Sequence, residues 1–395
     1  MDANDHRAVA KRQNLFHQQE EGPGVIFWHP RGFTIYRIIE EYIRKRMKRI
    51  GFNEVRTPQL LDHSIWQASG HWQKFAENMF WFESSERVFA LKPMSCPGHI
   101  QIFNERVRSF RDLPLRYFEF GACHRNEQSG CLQGLMRGRA FTQDDAHIFC
   151  SEAQVESEVI RFANLLRSVY KDFGFNDFFV GFSTRPALRA GDDAIWDRAE
   201  DLLSVAARAA GIEYRLQPGE GAFYGPKLEF ILADNQRREW QCGTIQLDYV
   251  LPYRLEAQYI DSNNSPARPV ILHQAVLGSL ERFIGMLIEH YQGNLPFWLA
   301  PDQIMIASIS EAQADYAKQI ADELEEEGYR VVVDTRAERI AKKIVMACEE
   351  GIPLVMVVGS QEEQSQSVSL RYRNGKQQQL TVKEAAAVLR ADAFR

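Results

Sequence analysis

The sequence predicts an antiparallel α+β domain followed by a small α/β domain. Three patterns carry that expectation: apolar residues at helical spacing from Phe33 to Ile50, paired strand-like runs separated by glycine-containing polar loops through residue 249, and a strand, helix, strand, helix, strand alternation after about residue 298. The domain boundaries expected are therefore 1–298 and 299–395. With 395 residues the chain exceeds the size at which one core keeps growing, which also favours two domains.

The first helix, FTIYRIIEEYIRKRMKRI, ends at Gly51, and FNEVRTPQLL after it reads as an extended strand closed by Pro58. LRYFEFGACHRNE and AFTQDDAHIFC flank the loop SGCLQGLMRGR and read as an antiparallel hairpin. Helices are expected in SEAQVESEVIRFANLLRSVYKDFG and WDRAEDLLSVAARAAG, then strands in KLEFILAD and REWQCGTIQLDYV. Beyond YQGNLPFWLAP, the short strands QIMIASIS, YRVVVDT and PLVMVVG alternate with two helices, the pattern of a parallel sheet.

Composition narrows the class. A content of 45% hydrophobic and 25% charged residues is that of a soluble globular protein, and neither a membrane-spanning run nor a secretion signal is read, so a cytoplasmic location is expected. Six cysteines without a paired framework suit a reducing compartment. The net charge of -6 excludes a chain coated in basic surface, although the local patch RKRMKR at 44–49 leaves room for RNA contact.

Polar residues in apolar surroundings mark the chemistry. Arg125 and Glu127, two apart, are expected on one face of a strand beside Arg137 and Arg139; an arginine fork suits a phosphate, and a salt-bridged surface strand is the plain alternative. Gln143, Asp145 and His147 alternate at period two, so they share a face that is either a metal or substrate surface or a polar edge strand. On AVLGSLERFIGMLIEHY, Ser279, Arg282 and Met286 fall on neighbouring turns of one helix face, and Arg282 requires either an internal carboxylate or a ligand phosphate. Cys96, His147 and His273 lie too far apart for spacing alone to indicate a metal site.

The strings KPMSCPGH, GLMRGRAFTQDDAHIF, GEGAFYGPK, WQCGTIQLD and LGSLERF, in this order, resemble the class II aminoacyl-tRNA synthetases and most fully the threonyl-tRNA synthetase family, from about Asp5 onward. The resemblance implies a class II catalytic domain followed by an anticodon-binding domain, and a homodimer formed through motif one, the long helix with FNEVRTP. It implies that Cys96, His147 and His273 hold one zinc ion per chain, which binds the amino and hydroxyl groups of threonine. Asp145 would accept the hydroxyl's hydrogen bond, and Met94, Tyr224, Cys242 and Gln246 would complete the amino acid pocket. ATP with Mg2+ is implied as well: Arg125 on the α-phosphate, Arg282 on the terminal phosphate and adenine, Glu127 reading the adenine, Phe141 stacking on it, and Arg137 on the phosphates. Gln143, Lys227, Gln241 and Ser279 would line that site.

By the same resemblance the product is threonyl-tRNA, with His71 near the accepting ribose hydroxyl and Glu362 and Arg371 touching the anticodon. The usual bacterial members carry an N-terminal editing region, and this chain begins almost at the catalytic domain. Serine lacks only a methyl group, about 1 to 3 kcal/mol, so some serine activation is expected. Gln133, Gly138 and Ala140 in the motif-two loop, and Ala337 and Val345 near the C-terminus, depart from the family pattern. Those departures leave two alternatives: a paralogue that activates threonine or an analogue for another acceptor or a resistance role, and a non-catalytic RNA-binding protein.

Overall fold

The computed structural model describes residues 2–234 and 237–393. Contacts divide the chain into two compact units, one of Gln19–Ile26 and Glu40–Phe283, the other of Met1–Gln18, Phe27–Ile39 and Ile284–Arg395.

The larger unit is built on an eight-stranded sheet: β1 (Asn53–Glu54), β2 (Leu115–His124), β3 (Ala140–Cys150), β4 (Phe179–Ser183), β5 (Arg215–Gln217), β6 (Lys227–Ala233), β7 (Glu239–Asp248) and β8 (Val270–Ala275). Its order is β5-β4-β6-β7-β8-β3-β2-β1, antiparallel except for the outer pairs β4–β5 and β1–β2. β3 is therefore central, which removes the polar-edge reading of Gln143, Asp145 and His147. The expected hairpin is β2–β3, with Leu115 opposite Phe149 and His124 opposite Ala140. The predicted helices run over Glu152–Asp172 and Asp193–Ala209, the first opened by a Ser151–Gln154 capping box.

Two local expectations change. FNEVRTPQLL is not one strand, because pairing stops at Glu54 and resumes only at Leu60. Between them, Thr57 turns inward to bond Glu119 through both its N–H and its hydroxyl. β2 ends at His124, so Arg125 and Glu127 lie in the loop beyond it rather than on a strand face.

A helix at Cys96–Asn104 covers one face of this sheet. Its residues Ile100 and Phe103 are fully buried, and Phe103 stacks on Phe149 with ring centres 4.4 Å apart. That packing holds the N-terminal residue of the helix, Cys96, against the strands; emptying such a site by Phe103→Ala typically costs about 3–5 kcal/mol.

In the smaller unit, β9 (Ile304–Ser308), β10 (Val331–Asp334), β11 (Leu354–Val358), β12 (Ser367–Tyr372) and β13 (Gln377–Thr381) form a sheet of order β10-β9-β11-β12-β13. The first three strands are parallel, as their helical crossovers predict; β12 and β13 add antiparallel edges, so the sheet is mixed. Alternation along β9 sends Ile304 and Ile306 to a core with Ile320, Leu324 and Leu389, and Met305 and Ala307 to another with Ala347 and Val355. Among the described residues, no helix is long and apolar enough to cross a membrane.

Candidate active site

Register across the large sheet sets the site. Lys227 faces Gln246, Gln246 faces His273, and His273 faces His147, each directly opposite on the next strand, so the four side chains form a row on one face. His147 and His273 bring Nε2 and Nδ1 to 2.9 Å of each other. Cys96 reaches the same point from its helix, and the three donor atoms of Cys96, His147 and His273 lie within 4.8 Å of one another.

All three residues are buried. Burial pushes the Cys96 thiol well above its ordinary range, with the Asp145 charge adding to it, and drives His147 well below the usual imidazole range, so His147 is neutral at pH 7. A buried thiol beside the neutral His147 finds no counter-charge in that ring. A divalent cation would supply one and take the thiol as thiolate, and one sulfur with two imidazole nitrogens suits zinc with a coordination position left open. The far nitrogen of each histidine is also occupied: His273 Nε2 is 2.8 Å from Asp248 Oδ2, and His147 Nδ1 is 2.8 Å from His99 Nδ1.

Beside this cluster, Asp145 Oδ2 accepts the Ser95 N–H at 3.3 Å. Tyr224 stacks on His273 with centroids 4.7 Å apart and donates its hydroxyl to Gln246 at 2.8 Å. His71 is wholly buried, with Nδ1 2.8 Å from Ser69 Oγ and Nε2 3.4 Å from Cys96 Sγ, and burial holds its imidazole down to about 3.

A cleft adjoining the cluster through Tyr224 and Gln246 collects nearly every remaining expected residue, while Cys96, His147, His273, Asp145 and His71 are not among its lining residues. Met94, Tyr224, Cys242 and Gln246 line one part of it. Arg125, Glu127, Arg137, Phe141 and Gln143 come from β3 and the loops around it, Lys227 and Gln241 from β6 and β7, and Ser279, which pairs with Gln143, and Arg282 from the turn and helix after β8. Several are engaged with each other: Arg125 lies over the Phe141 ring at 5.1 Å, Arg137 bonds Glu127 at 2.7 Å, and Lys227 pairs with Glu229 at 2.7 Å. Arg282 donates to the carbonyls of Met136 and Gln241 and lies 5.6 Å from the Trp240 ring, so its partners here are peptide oxygens rather than the internal carboxylate considered above.

The turn that presents Ser279 and Arg282 is held by two buried acids. Asp144, on the opposite face of β3 from Asp145, accepts the N–H groups of Val276, Leu277 and Gly278 at 2.8, 3.0 and 2.8 Å. Glu281 accepts from the Thr142 N–H and the Ser279 hydroxyl, both at 2.9 Å. Gly278 has φ of +78°, and a Cβ there would lie 2.5 Å from the Cys242 carbonyl, so the turn admits only glycine without displacement. Ser279 itself precedes the helix, which runs Leu280–His290, and so is not on a helix face as its spacing had suggested.

In the smaller unit, Glu362 accepts the Gly359 N–H and the Ser369 hydroxyl, each at 3.0 Å, and Arg371 lies on β12 opposite Val355 and Gln377. Ala337 and Val345 are both exposed. No role is read from the sequence for Asp144, Glu281, His99, Glu119, Lys92 or Asp248, although all but Glu119 lie within the strings KPMSCPGH, GLMRGRAFTQDDAHIF, WQCGTIQLD and LGSLERF. The one signal for Glu119 is a charged side chain in an apolar run, YFEF.

The model of the tRNA synthetase class II core domain (G, H, P, S and T) matches residues 80–291, and that of an anticodon binding domain matches residues 303–392. The chain therefore belongs to the class II tRNA synthetases. Within them it falls in the threonyl-tRNA synthetase family: a solved structure described as the RNA binding domain of threonyl-tRNA synthetase from Cryptosporidium parvum is 40% identical, with TM-score 0.96 over 99% of both chains. A putative threonyl-tRNA synthetase from Aeropyrum pernix is 30% identical, with TM-score 0.85 over 98% of this chain and 94% of that one. The threonine–tRNA ligase of Paraburkholderia phytofirmans is 53% identical over 94% of this chain, and the chain spans 58% of that relative's length.

Proposed function

We propose that this chain activates threonine with ATP and transfers it to the 3′ end of threonine tRNA. The observation that carries the reading is the convergence of Cys96, His147 and His273 next to a cleft lined by Arg125 and Arg282, whose residues Tyr224 and Gln246 adjoin His273. A zinc ion held by the three side chains, when bound, supplies an open coordination position for the amino and hydroxyl groups of threonine. Asp145 accepts the hydroxyl's hydrogen bond, and Tyr224 and Gln246 shape the pocket beside it. Valine, nearly the same shape, would leave these polar groups without a partner, which a site of this kind rejects far more strongly than an apolar pocket does.

Arg125 and Arg282 both line this cleft; the family resemblance assigns them to the α-phosphate and the terminal phosphate of ATP with Mg2+, and stabilising charge at the α-phosphate as the carboxylate attacks is the largest catalytic contribution available to them. Binding requires the Arg137–Glu127 pair to part, freeing Glu127 for adenine and Arg137 for phosphate, and Phe141 to exchange the Arg125 guanidinium for a base. Lys227, Gln143, Gln241 and Ser279 complete the ATP site. By the family resemblance His71 is the proton acceptor in the transfer step; here its ring is fully buried against Cys96 and outside the cleft lining, so it must be uncovered to act. Residues 1–298 then form the catalytic domain and 299–395 the anticodon-binding domain, with Glu362 and Arg371 as base contacts. The working form is a cytoplasmic homodimer joined through motif one.

The test is threonine-, serine- and valine-dependent ATP–pyrophosphate exchange in zinc-replete protein, followed by charging of threonine tRNA transcripts. Threonine-dependent exchange with charging, weak serine exchange and much weaker valine exchange are expected. Exchange without charging would favour the paralogue, and no threonine-dependent exchange would overturn the reading.

A further inference from the structure

We propose that His99, backed by Glu119, is a positioning residue that fixes the tautomer and ring direction of His147 and so presents its Nε2 to the metal. This rests on the zinc reading above and extends it to side chains outside the ligand set.

His147 is held at both nitrogens. Nε2 is 2.9 Å from His273 Nδ1, on the side of the cluster, and Nδ1 is 2.8 Å from His99 Nδ1. At that separation one proton lies between the two Nδ1 atoms, since two lone pairs would repel and two N–H groups would collide. A neutral His147 that offers the Nε2 lone pair must carry its proton on Nδ1, and it therefore donates to His99. His99 in turn accepts at Nδ1 and carries its own proton on Nε2, which lies 3.6 Å from Glu119 Oε1 with no hydrogen-bond partner of its own, a charge contact longer than a hydrogen bond. The shared proton links the two rings' tautomers, and the Glu119 charge favours the second proton on His99 Nε2.

Glu119 is anchored firmly enough to end such a chain. Its carboxylate accepts the Thr57 N–H at 2.8 Å, the Thr57 hydroxyl at 2.7 Å and Lys92 Nζ at 2.7 Å. Burial would raise its carboxyl, but the neighbouring His99 and Lys92 outweigh that and hold it below the usual range. His99, Glu119 and Lys92 are each at most 1% exposed. The helix carrying His99 also approaches Thr57 closely, since a Cβ on Gly98 would meet the Thr57 side chain at 2.8 Å.

The other ligand shows why a relay is needed. His273 Nε2 meets Asp248 directly, and Asp248 is pinned by the N–H groups of Val250 and Leu251. Behind His147 the strand neighbour is Tyr117, and the nearest carboxylate on β2, Glu119, stands opposite Asp145, one step along the sheet. The His99 ring, edge-to-face with His147 at 4.6 Å, bridges that gap. Metal-bound histidines routinely lose about 10- to 100-fold in metal affinity when such an outer partner is removed.

The experiment compares zinc affinity, by chelator competition, in wild type, His99→Phe and His99→Gln, with melting temperatures measured alongside. His99→Phe should lose about 10- to 100-fold in affinity, whereas His99→Gln, whose amide oxygen still accepts from Nδ1–H, should recover most of it. Wild-type affinity in His99→Phe would overturn the inference and leave the zinc reading standing; no zinc bound by wild type would overturn both. Should His99→Phe not fold, nitrogen-15 imidazole spectra of zinc-loaded wild type decide the matter. A proton on His147 Nδ1 and none on His99 Nδ1 is expected, and the reverse would overturn the relay.

Discussion

Replacing Asp145 by alanine should damage the recognition of threonine while sparing whatever valine activity exists. Asp145 is 7% exposed and two residues before His147 on β3. One of its oxygens, Oδ2, accepts the Ser95 N–H at 3.3 Å, and Oδ1 lies 3.9 Å from His147 Nε2, facing the metal side. An oxygen so placed has an acceptor position for a substrate hydroxyl. A hydrogen bond to a charged group contributes about 1.5–3 kcal/mol net, which at 1.36 kcal/mol per decade corresponds to about 10- to 150-fold in kcat/KM. Pyrophosphate exchange with threonine and valine, together with zinc content, measures it. The threonine-to-valine ratio should collapse by that factor with zinc retained. An equal loss for both amino acids would refute the assignment of Asp145 as hydroxyl acceptor.

Arg125→Ala should lower adenylate formation by two or more orders of magnitude, in the range of about 10²–10³ seen when a charge-stabilising donor is lost, and leave zinc content unchanged; loss of metal would show that its role lies elsewhere. Lys92→Met strands the buried Glu119 carboxylate and should destabilise the larger unit by about 3–5 kcal/mol in denaturant titration, a change under 1 kcal/mol being inconsistent with the pair described. Glu281 titrates near neutrality because burial raises its carboxyl to about 7. A raised acid favours the folded state below its unfolded value of 4.5 and loses that contribution as pH climbs through about 7, so the melting temperature of wild type relative to Glu281→Gln should fall between pH 4.5 and 7 and then level off. A flat difference across that interval would contradict the burial described.

The local part of this architecture was legible because it depends on short periods. Alternation in TQDDAHIF placed Gln143, Asp145 and His147 on one face, and the helix and strand runs of the C-terminal region gave the three parallel strands. What failed was also local. Arg125 and Glu127 were assigned a strand face that ends one residue too early, at His124, and the hairpin β12–β13 went unread although Asn374-Gly375 marks its turn, because SVSLRYRNGKQQQLT is too polar to resemble a core strand. Register between distant strands has no signature in spacing. His147 and His273 are opposite one another only because β8 pairs with β3, and Cys96 joins them only through the packing of Phe103 on Phe149. The resemblance to a known family supplied that set; the roles of His99 and Asp248, which lie in KPMSCPGH and WQCGTIQLD, and of Glu119 beside them came from the structure.

Elemental analysis of freshly purified protein, with Cys96→Ser prepared in parallel, addresses the proposed centre most directly. Close to one zinc per chain in the wild type, and little in the variant, together with threonine-dependent exchange that fails on chelation and returns with zinc, is the predicted result. Full threonine activation by metal-free protein would contradict it.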